Sequence, residues 1–161
     1  MPDLLVKLYT LPEVAPEIAR LRHSGIDIRR AIAPEKRVVA NWTHAHFSIL
    51  WASEVDVAFS RSPVSCWVAG DDRTCVGFAC YDATCKGFFG PTGVDETYRG
   101  RGIGKALLLA CLHDMAAQGY GYAIIGAAGP VDFYKQSVGA IEIPDSSPGI
   151  YRGMLRDPEK A

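Results

Sequence analysis

The chain has 161 residues, of which 48% are hydrophobic, so it is long enough for one compact domain with a core of its own. Its net charge of −1 argues against a protein that binds nucleic acid or anionic membranes, because both classes usually carry a strong basic excess. No apolar run reaches the roughly 18–20 residues of a membrane span, and the N-terminus lacks the layout of a signal peptide. We therefore expect a single cytoplasmic domain over residues 1–161, with no nucleic-acid or membrane partner.

The cysteines and histidines follow no metal-binding pattern. The five cysteines are odd in number, lack Cys-x-x-Cys spacing and mostly lie in apolar segments, which is typical of reduced, buried thiols. His44 and His46 are two residues apart, so they do not face each other on a helix. We expect no metal cofactor.

The first third of the chain carries the weakest structural signals. Residues 4–11 alternate between apolar and polar types, which predicts a first strand, and Pro12 then opens a helix that Gly25 ends. A second helix can begin at Pro34-Glu35, with an apolar stripe that Thr43 interrupts. We expect a strand followed by two helical segments here.

A stronger helical pattern covers residues 44–60. Five apolar side chains fall on one side of this predicted helix, which Ser62-Pro63 ends: Phe47, Leu50, Trp51, Val55 and Ala58. Glu54 falls on the same side, where it is either half of an ordinary ion pair at the edge of the core or a group that binds or deprotonates an amine.

Three strands are predicted in the middle of the chain. Residues 64–69 and 74–81 flank the turn at 70–73 and predict a hairpin, because both are rich in Val, Cys, Trp and Phe. Residues 87–94 predict a third strand, which Gly90, Pro91 and Gly93 interrupt. An interrupted strand leaves backbone groups available to a ligand.

The third strand leads directly into a loop with three alternating glycines and three basic residues. Its members are Arg99, Gly100, Arg101, Gly102, Gly104 and Lys105. The first N–H groups of the helix that follows have no partner within the helix and lie at the positive end of its dipole, so they can bind phosphate or pyrophosphate. Glycine lets the main chain approach such an anion closely, and the basic side chains add full charges. The loop is therefore a candidate phosphate site.

Two common phosphate-binding motifs do not fit this loop. A P-loop that ends in Gly104-Lys105 requires glycine at Arg99 and a hydroxyl at Ala106. The dinucleotide fingerprint Gly-x-Gly-x-x-Gly requires glycine at Lys105 or Leu107. Both are excluded.

The rest of the chain predicts a helix over 103–118, a nearly continuous apolar strand over 120–127 and a short helix over 131–138. The order of strand, loop, helix and strand is that of a right-handed crossover, so the two strands can be parallel. Residues 140–143 and 150–155 predict a final strand pair, and 156–161 form a polar tail.

Arg99, Gly102 and Gly104 fit the pattern Arg-x-x-Gly-x-Gly, which resembles the acetyl-coenzyme A signature of the GNAT N-acetyltransferase superfamily. The segment 133–140, Phe-Tyr-Lys-Gln-Ser-Val-Gly-Ala, resembles the Phe-Tyr motif that follows the fifth strand of these enzymes. The resemblance implies an α/β fold with a mixed, mostly antiparallel sheet of about six to seven strands flanked by helices, in which a splayed parallel pair forms the acetyl-coenzyme A cleft. It also implies an acceptor-side region over 1–63 and a cofactor-binding core over 64–155.

In this family, backbone amides of the signature loop hold the pyrophosphate of acetyl-coenzyme A, and the pantetheine arm pairs with the preceding strand. The resemblance therefore assigns cofactor binding to eight positions, which are Val94, Arg99, Gly100, Arg101, Gly102, Ile103, Gly104 and Lys105.

Acetyl transfer to an amine also requires an acid for the departing thiolate and a base for the amine. Tyr134 is the candidate acid, because a phenol with a reference pKa of about 10 can share a proton with a thiol of about 8.5. The alternative is a core tyrosine hydrogen-bonded to the backbone. Glu54 is the first candidate base and Asp82 the second, since residues 88–94 contain no carboxylate. Tyr134 precedes Gly139 by five residues, where the commoner family pattern has four.

The leading functional hypothesis is an N-acetyltransferase that acts on a primary amine, with a small molecule favoured over a protein N-terminus or lysine. Six aromatic residues near the predicted acceptor region suggest an enclosed pocket, although each can equally belong to the core: Phe47, Trp51, Trp67, Tyr81, Phe88 and Phe89. The alternative from another class is a non-catalytic domain that binds acyl-coenzyme A. Because many members of the family dimerise through their C-terminal strands, the resemblance leaves a homodimer open.

Overall fold

One mixed sheet of seven strands carries the fold in the computed structural model, which describes residues 1–158. The strands are β1 (Leu4–Lys7), β2 (Ile26–Arg30), β3 (Cys66–Asp71), β4 (Thr74–Tyr81), β5 (Phe88–Val94), β6 (Tyr122–Ile125) and β7 (Ile141–Glu142). The helices are α1 (Ala15–His23), α2 (Lys36–His46), α3 (Ile49–Phe59), α4 (Ile103–Ala117) and α5 (Val131–Val138). The tail predicted at 156–161 lies partly outside the described residues.

The strand order in the sheet is β2-β3-β4-β5-β6-β1-β7. Neighbouring strands are antiparallel except β5 and β6, which are parallel and are connected by α4. The predicted fold class, a mixed and mostly antiparallel sheet with one parallel pair, is confirmed. The strand that begins the chain, β1, lies between β6 and β7 near the other end.

Helices cover both faces of the sheet. The longest, α4, packs against β3, β4 and β5 and has nine buried residues, since its sequence is apolar around most of its circumference. Helix α1 packs beside it, against β2 and α4. On the opposite face, α2 and α3 bury a second apolar cluster around Phe78, Val55 and Cys80. The sheet and α4 therefore form a rigid base for the loop that joins β5 to α4.

The elements in the centre of the chain follow the sequence predictions closely, whereas three predictions elsewhere are wrong. The helix predicted over 44–60 is two helices, because Ser48 is an N-cap whose hydroxyl accepts a hydrogen bond from the Trp51 amide at 3.2 Å. Leu50, predicted on the buried side, is 50% exposed after this break.

The other two errors concern strands. The segment after Gly25 forms β2, for which no strand was predicted. Residues 150–155 form no strand: a single 3₁₀ turn occupies Gly149–Tyr151, and β1 takes the place beside β7 that this segment was predicted to occupy. A first strand was predicted, but its position in the sheet is set by pairing over more than 100 residues, since Leu4 pairs with Ile125.

None of the helices within residues 1–158 combines the length and the apolar character needed to cross a membrane. All five cysteines carry free thiols, and Cys66, Cys80 and Cys111 are buried. Within the same residues, no group of three or more metal-ligating side chains is close enough together to hold a metal ion.

Candidate active site

A cleft opens where the parallel strands β5 and β6 separate. They pair only at Phe88 with Ile124 and at Phe89 with Ile125. Beyond this point β6 ends, while β5 continues to Val94 and pairs only with β4 on its other side. The space beside the free edge of β5 is a cavity of about 750 Å³, and most of its wall is apolar. A cavity of this size fits a drug-sized or cofactor-sized ligand.

The glycine-rich loop forms one end of this cleft. Gly102 caps α4 in the left-handed conformation, with φ of 85°, which glycine adopts without the cost that a side chain would add. The amides of Ile103, Gly104 and Lys105 begin the helix, and no acceptor within residues 1–158 pairs with them. These unpaired donors lie at the positive end of a 15-residue helix and beside the cavity, where they can bind an anion.

Seven of the eight residues predicted to bind the cofactor line the cleft, and Arg101 is the exception. Its guanidinium lies over the Tyr98 ring, 4.8 Å from the ring centroid. The Arg99 side chain donates from Nε to the Val94 carbonyl at 3.3 Å. A ligand that donates a hydrogen bond to the Val94 carbonyl must therefore share this oxygen with Arg99 or displace the Arg99 side chain.

Tyr134 lies on the cleft wall and is 5% exposed. Its ring is held between Phe133 and Phe89, with ring centroids 5.1 and 6.4 Å away. Within residues 1–158, no group forms a hydrogen bond with its hydroxyl, so the alternative of a core tyrosine bonded to the backbone does not describe this side chain. Burial raises the pKa of Tyr134 to about 12, so the phenol stays protonated at neutral pH.

Glu54 is half-buried on α3 and accepts a hydrogen bond from the Thr84 hydroxyl. Burial raises the pKa of Glu54, and the hydrogen bond from Thr84 opposes this shift. In the described chain Glu54 is not part of the cleft wall, although Trp51, one turn earlier on the same helix, is. No basic residue forms an ion pair with Glu54 within residues 1–158, which leaves its carboxylate without the partner that the structural interpretation requires.

Tyr151, which the sequence did not single out, lies beside Glu54 and Thr84. Burial raises the pKa of Tyr151, and the Glu54 carboxylate adds to this shift. Its hydroxyl also lies 2.8 Å from the position that a Cβ on Gly126 would occupy, at the end of β6. The cluster of Glu54, Thr84 and Tyr151 is thus next to the mouth of the cleft, built from three segments that are distant in sequence.

The second candidate base, Asp82, holds the turn between β4 and β5. Its carboxylate accepts hydrogen bonds from the Gly87 amide at 2.7 Å and the Tyr120 hydroxyl at 2.9 Å. Asp82 is buried and does not line the cleft within the described residues. These contacts indicate that Asp82 has a structural role in the turn.

The aromatic residues predicted around the acceptor differ in whether they line the cleft or bind to α4. Phe47, Trp51 and Phe89 line the cleft, and the Phe47 ring lies so close to Gly93 that a side chain on Gly93 would overlap it. Trp67 and Tyr81 instead hydrogen-bond to Asp114 of α4, at 2.9 and 3.1 Å. For these last two, the core interpretation holds.

Residues 26–139 match the model of the acetyltransferase (GNAT) family. The chain is similar to the GCN5-related glucosamine N-acetyltransferase region of a fungal multi-domain GH3 β-N-acetylglucosaminidase, with a TM-score of 0.70 and 17% identity over 88% of this chain and 19% of that one. It is also similar to a GCN5-related N-acetyltransferase from Sphaerobacter thermophilus, with a TM-score of 0.67 and 19% identity over 88% of this chain and 48% of that one.

A GNAT family acetyltransferase from Brucella melitensis, solved in complex with acetyl-coenzyme A, gives a TM-score of 0.52 and 19% identity over 69% of this chain and 80% of that one. No curated protein matches the sequence. The chain spans less than half the length of the fungal and Sphaerobacter proteins, and at these identities the solved structures establish the fold alone. Because the family model covers most of the chain, the resemblance seen in the sequence is confirmed: this protein belongs to the GNAT family of acetyltransferases.

Proposed function

We propose that this protein transfers the acetyl group of acetyl-coenzyme A to the primary amine of a small molecule. The observation that carries the proposal is the single cleft in which a free strand edge, unpaired helix N-terminal amides and an unpaired tyrosine hydroxyl converge. Acyl transfer needs these three elements to position the donor, bind its phosphates and supply a proton.

The residues around the cleft fit acetyl-coenzyme A in charge and in hydrogen-bonding groups. The amides of Ile103, Gly104 and Lys105 would hold the pyrophosphate, and the free edge of β5 would pair with the pantetheine arm. When bound, the cosubstrate supplies an activated acetyl thioester. A backbone N–H of β5 would polarise the acetyl carbonyl, since such a donor is worth most where charge develops in a water-poor site.

Two side chains, Tyr134 and Glu54, are assigned to proton transfer. Tyr134 would donate to the departing sulfur, because its hydroxyl is protonated, unpaired and on the cleft wall. Its pKa of about 12 lies above that of a thiol, so we assign it a modest share of the rate enhancement. Glu54 would accept the amine proton through water, because its carboxylate lies beside the cleft and outside its wall.

A small acceptor is favoured over a protein N-terminus or lysine because aromatic rings enclose the acceptor side of the cleft. Phe47 and Trp51 stack with centroids 4.9 Å apart and cover the strand edge at Gly93. A second function has one observation in its favour: neither β5 nor the wall of the cleft within residues 1–158 carries a carboxylate. A domain that binds acyl-coenzyme A without turnover would have this feature.

Thiol release from acetyl-coenzyme A in the presence of an amine panel tests the proposal. The panel contains amino sugars such as glucosamine, aminoglycosides, polyamines, free amino acids and peptides with free N-termini or lysines. Turnover with at least one small amine and none with peptides is expected. Saturable binding of acetyl-coenzyme A without thiol release across the whole panel would instead favour the non-catalytic function.

A further inference from the structure

An arginine outside the family match lies directly on the phosphate-binding loop. Arg20 belongs to α1, which precedes the matched residues 26–139. Its Nη1 donates a hydrogen bond to the Arg101 carbonyl at 3.1 Å, across 81 positions of sequence. A second guanidinium nitrogen, Nη2, occupies the space into which a side chain at position 102 would project. The positive φ of Gly102 favours glycine, and a side chain at this position would also have to displace the Arg20 guanidinium.

Arg20 is part of a charged group that contains more positive than negative charge. The Glu17 carboxylate lies between two cations, with Oε2 3.1 Å from Arg20 Nη2 and Oε1 3.5 Å from Lys105 Nζ. The hydrogen bond from Arg20 is the main cause that lowers the pKa of Glu17, and Lys105 adds to it. One carboxylate thus serves two cations, and one of them, Lys105, lines the cleft.

The guanidinium keeps donors for a ligand. Arginine has five N–H donors in a planar fork, and Arg20 uses one nitrogen for Arg101 and another for Glu17. The side chain is 54% exposed, so an anion arriving from solvent can reach it. The Glu17 carboxylate shows that an anion can bind between Arg20 and Lys105. A phosphate has more oxygens and more negative charge than a carboxylate, so it would bind these two cations more strongly.

We propose that Arg20 binds a phosphate group of the coenzyme A moiety, with Glu17 holding the guanidinium against the loop until the ligand arrives. The inference rests on the proposed function, because it requires coenzyme A at this loop. The phosphate is either the 3′-phosphate of the ribose or the pyrophosphate, which share the same chemistry. Arg20 is thereby an affinity-determining residue that the N-terminal helix contributes to the loop.

The test compares coenzyme A with 3′-dephospho-coenzyme A by calorimetric titration at several salt concentrations. The variants are Arg20→Gln and, as a matched control, Arg22→Gln. Arg22 is on the same helix, is 69% exposed and pairs with Asp27 at 3.6 Å, away from the loop. Arg20→Gln is expected to weaken coenzyme A binding about three- to tenfold, and Arg22→Gln by less than about twofold.

Two results support the proposal and identify the phosphate. A loss for coenzyme A alone, with dephospho-coenzyme A unchanged, assigns Arg20 to the 3′-phosphate. An equal loss for both ligands, with a weaker salt dependence of the affinity in Arg20→Gln, assigns it to the pyrophosphate, since one charge contact has been removed.

Two results would overturn the proposal that Arg20 binds a phosphate of coenzyme A. The first is unchanged affinity for both ligands. The second is an equal loss with unchanged salt dependence, which indicates that Arg20 only fastens α1 to the loop.

The unfolding temperature of the unliganded variants checks the fold, and Arg20→Lys repeats the test if Arg20→Gln is destabilised. Absence of coenzyme A binding by the unmodified protein contradicts the proposed function itself, whereas wild-type binding with an indifferent Arg20 contradicts this inference alone.

Discussion

At the scale of single residues, Tyr134 is the group whose environment is most specific. It is nearly buried, its hydroxyl has no hydrogen-bond partner within residues 1–158, and it reaches the cleft. The hydroxyl oxygen is open to the cleft and is not a fully buried polar atom, so a bound ligand can reach it and form a hydrogen bond with it. The proton that it carries is the property to test.

Tyr134→Phe is expected to lower kcat about 100-fold, with the KM for acetyl-coenzyme A changed less than about threefold. The ring and its packing remain, whereas the proton for the departing sulfur is lost, and general acids typically contribute about 10² to 10⁴ in rate. We place the effect at the lower end because the pKa of about 12 makes the phenol a weak acid. Thiol release measures it, and Tyr122→Phe, at an exposed tyrosine that contacts Tyr9, is the control. A kcat within about threefold of wild type would exclude Tyr134 as the acid.

Glu54 has a pH signature that a purely structural carboxylate lacks. Because burial raises the pKa of Glu54, the wild-type kcat/KM is expected to increase with pH through an inflection that lies higher than the ordinary pKa of a glutamate. Glu54→Gln removes the ionisable base, so this inflection should disappear and the loss should be largest above it. Asp56→Asn, on the same helix at a carboxylate that pairs with Lys36, is the control. A pH profile that Glu54→Gln leaves unchanged in shape would remove Glu54 from the mechanism.

The raised pKa of Glu54 also has a consequence for the stability of the fold. A carboxylate whose folded-state pKa is raised is ionised less readily in the folded protein than in the unfolded chain. Glu54 therefore costs the fold free energy as the pH rises above its unfolded-state pKa, and costs nothing at lower pH. Glu54→Gln should unfold at a higher temperature than wild type near neutral pH and at the same temperature in acid, as long as Thr84 keeps a hydrogen-bond partner in the glutamine.

At the scale of elements, α4 and its loop are the unit on which the proposed binding of coenzyme A depends. Gly102 combines a left-handed backbone, a close approach by Arg20 and the first turn of a helix. A glutamate there would strain the backbone by about 1 kcal/mol, displace the guanidinium and set a negative charge where a phosphate should bind. Gly102→Glu is therefore expected to fold and to bind no coenzyme A.

Thermal unfolding with and without acetyl-coenzyme A measures this effect. A ligand at about 100 times its Kd stabilises the folded state by about 2.7 kcal/mol, so the wild-type protein should unfold at a clearly higher temperature when the ligand is present. Gly102→Glu should lose this increase, whereas Gly121→Glu should keep it, because a side chain at Gly121 has no neighbour within 4 Å. Full protection of a folded Gly102→Glu variant would refute the assignment of the loop.

The sequence predicted best those elements whose cause is local. The hairpin of β3 and β4, the long helix α4 and the short helix α5 each have a continuous pattern bounded by glycine or proline, and the structure has them within about two residues of the predicted ends. The split between α2 and α3 was missed because one serine cap decides it, inside a pattern that otherwise continues. Strand β2 was missed because five residues of alternating type after a helix give too short a signal.

The residues of the candidate site likewise divide into those that a local sequence pattern predicts and those that it does not. The loop residues are consecutive, so their spacing predicted an anion site from the sequence. Arg20, Thr84 and Tyr151 lie near the site only through the packing of distant segments, and the residues next to Thr84 and Tyr151 gave no indication of it. A last turn of α1 rich in basic residues was the one available signal for Arg20.

At the scale of the whole molecule, the question is whether the first 25 residues belong to the same folding unit as the rest. The family match begins only at residue 26. Strand β1 nevertheless lies inside the sheet between β6 and β7, and the side chains of Leu4 and Val6 are fully buried. The end of β6 that β1 supports also borders the cleft at Ile125. If the chain is a single domain, as predicted, a substitution that destabilises β1 should therefore lower the free energy of unfolding of the whole domain.

Leu4→Ala tests this implication. Removal of a fully buried leucine side chain is expected to lower the free energy of unfolding by about 2–5 kcal/mol, through lost burial and the cavity left behind. Because β1 is hydrogen-bonded on both sides, the loss should shift one cooperative transition in urea, with coinciding fluorescence and circular dichroism curves. Leu5→Ala, at a half-buried side chain on the opposite face, should cost less. If residues 1–25 were instead a separate segment resting on the sheet, Leu4→Ala would leave the midpoint of the main transition where it is in wild type.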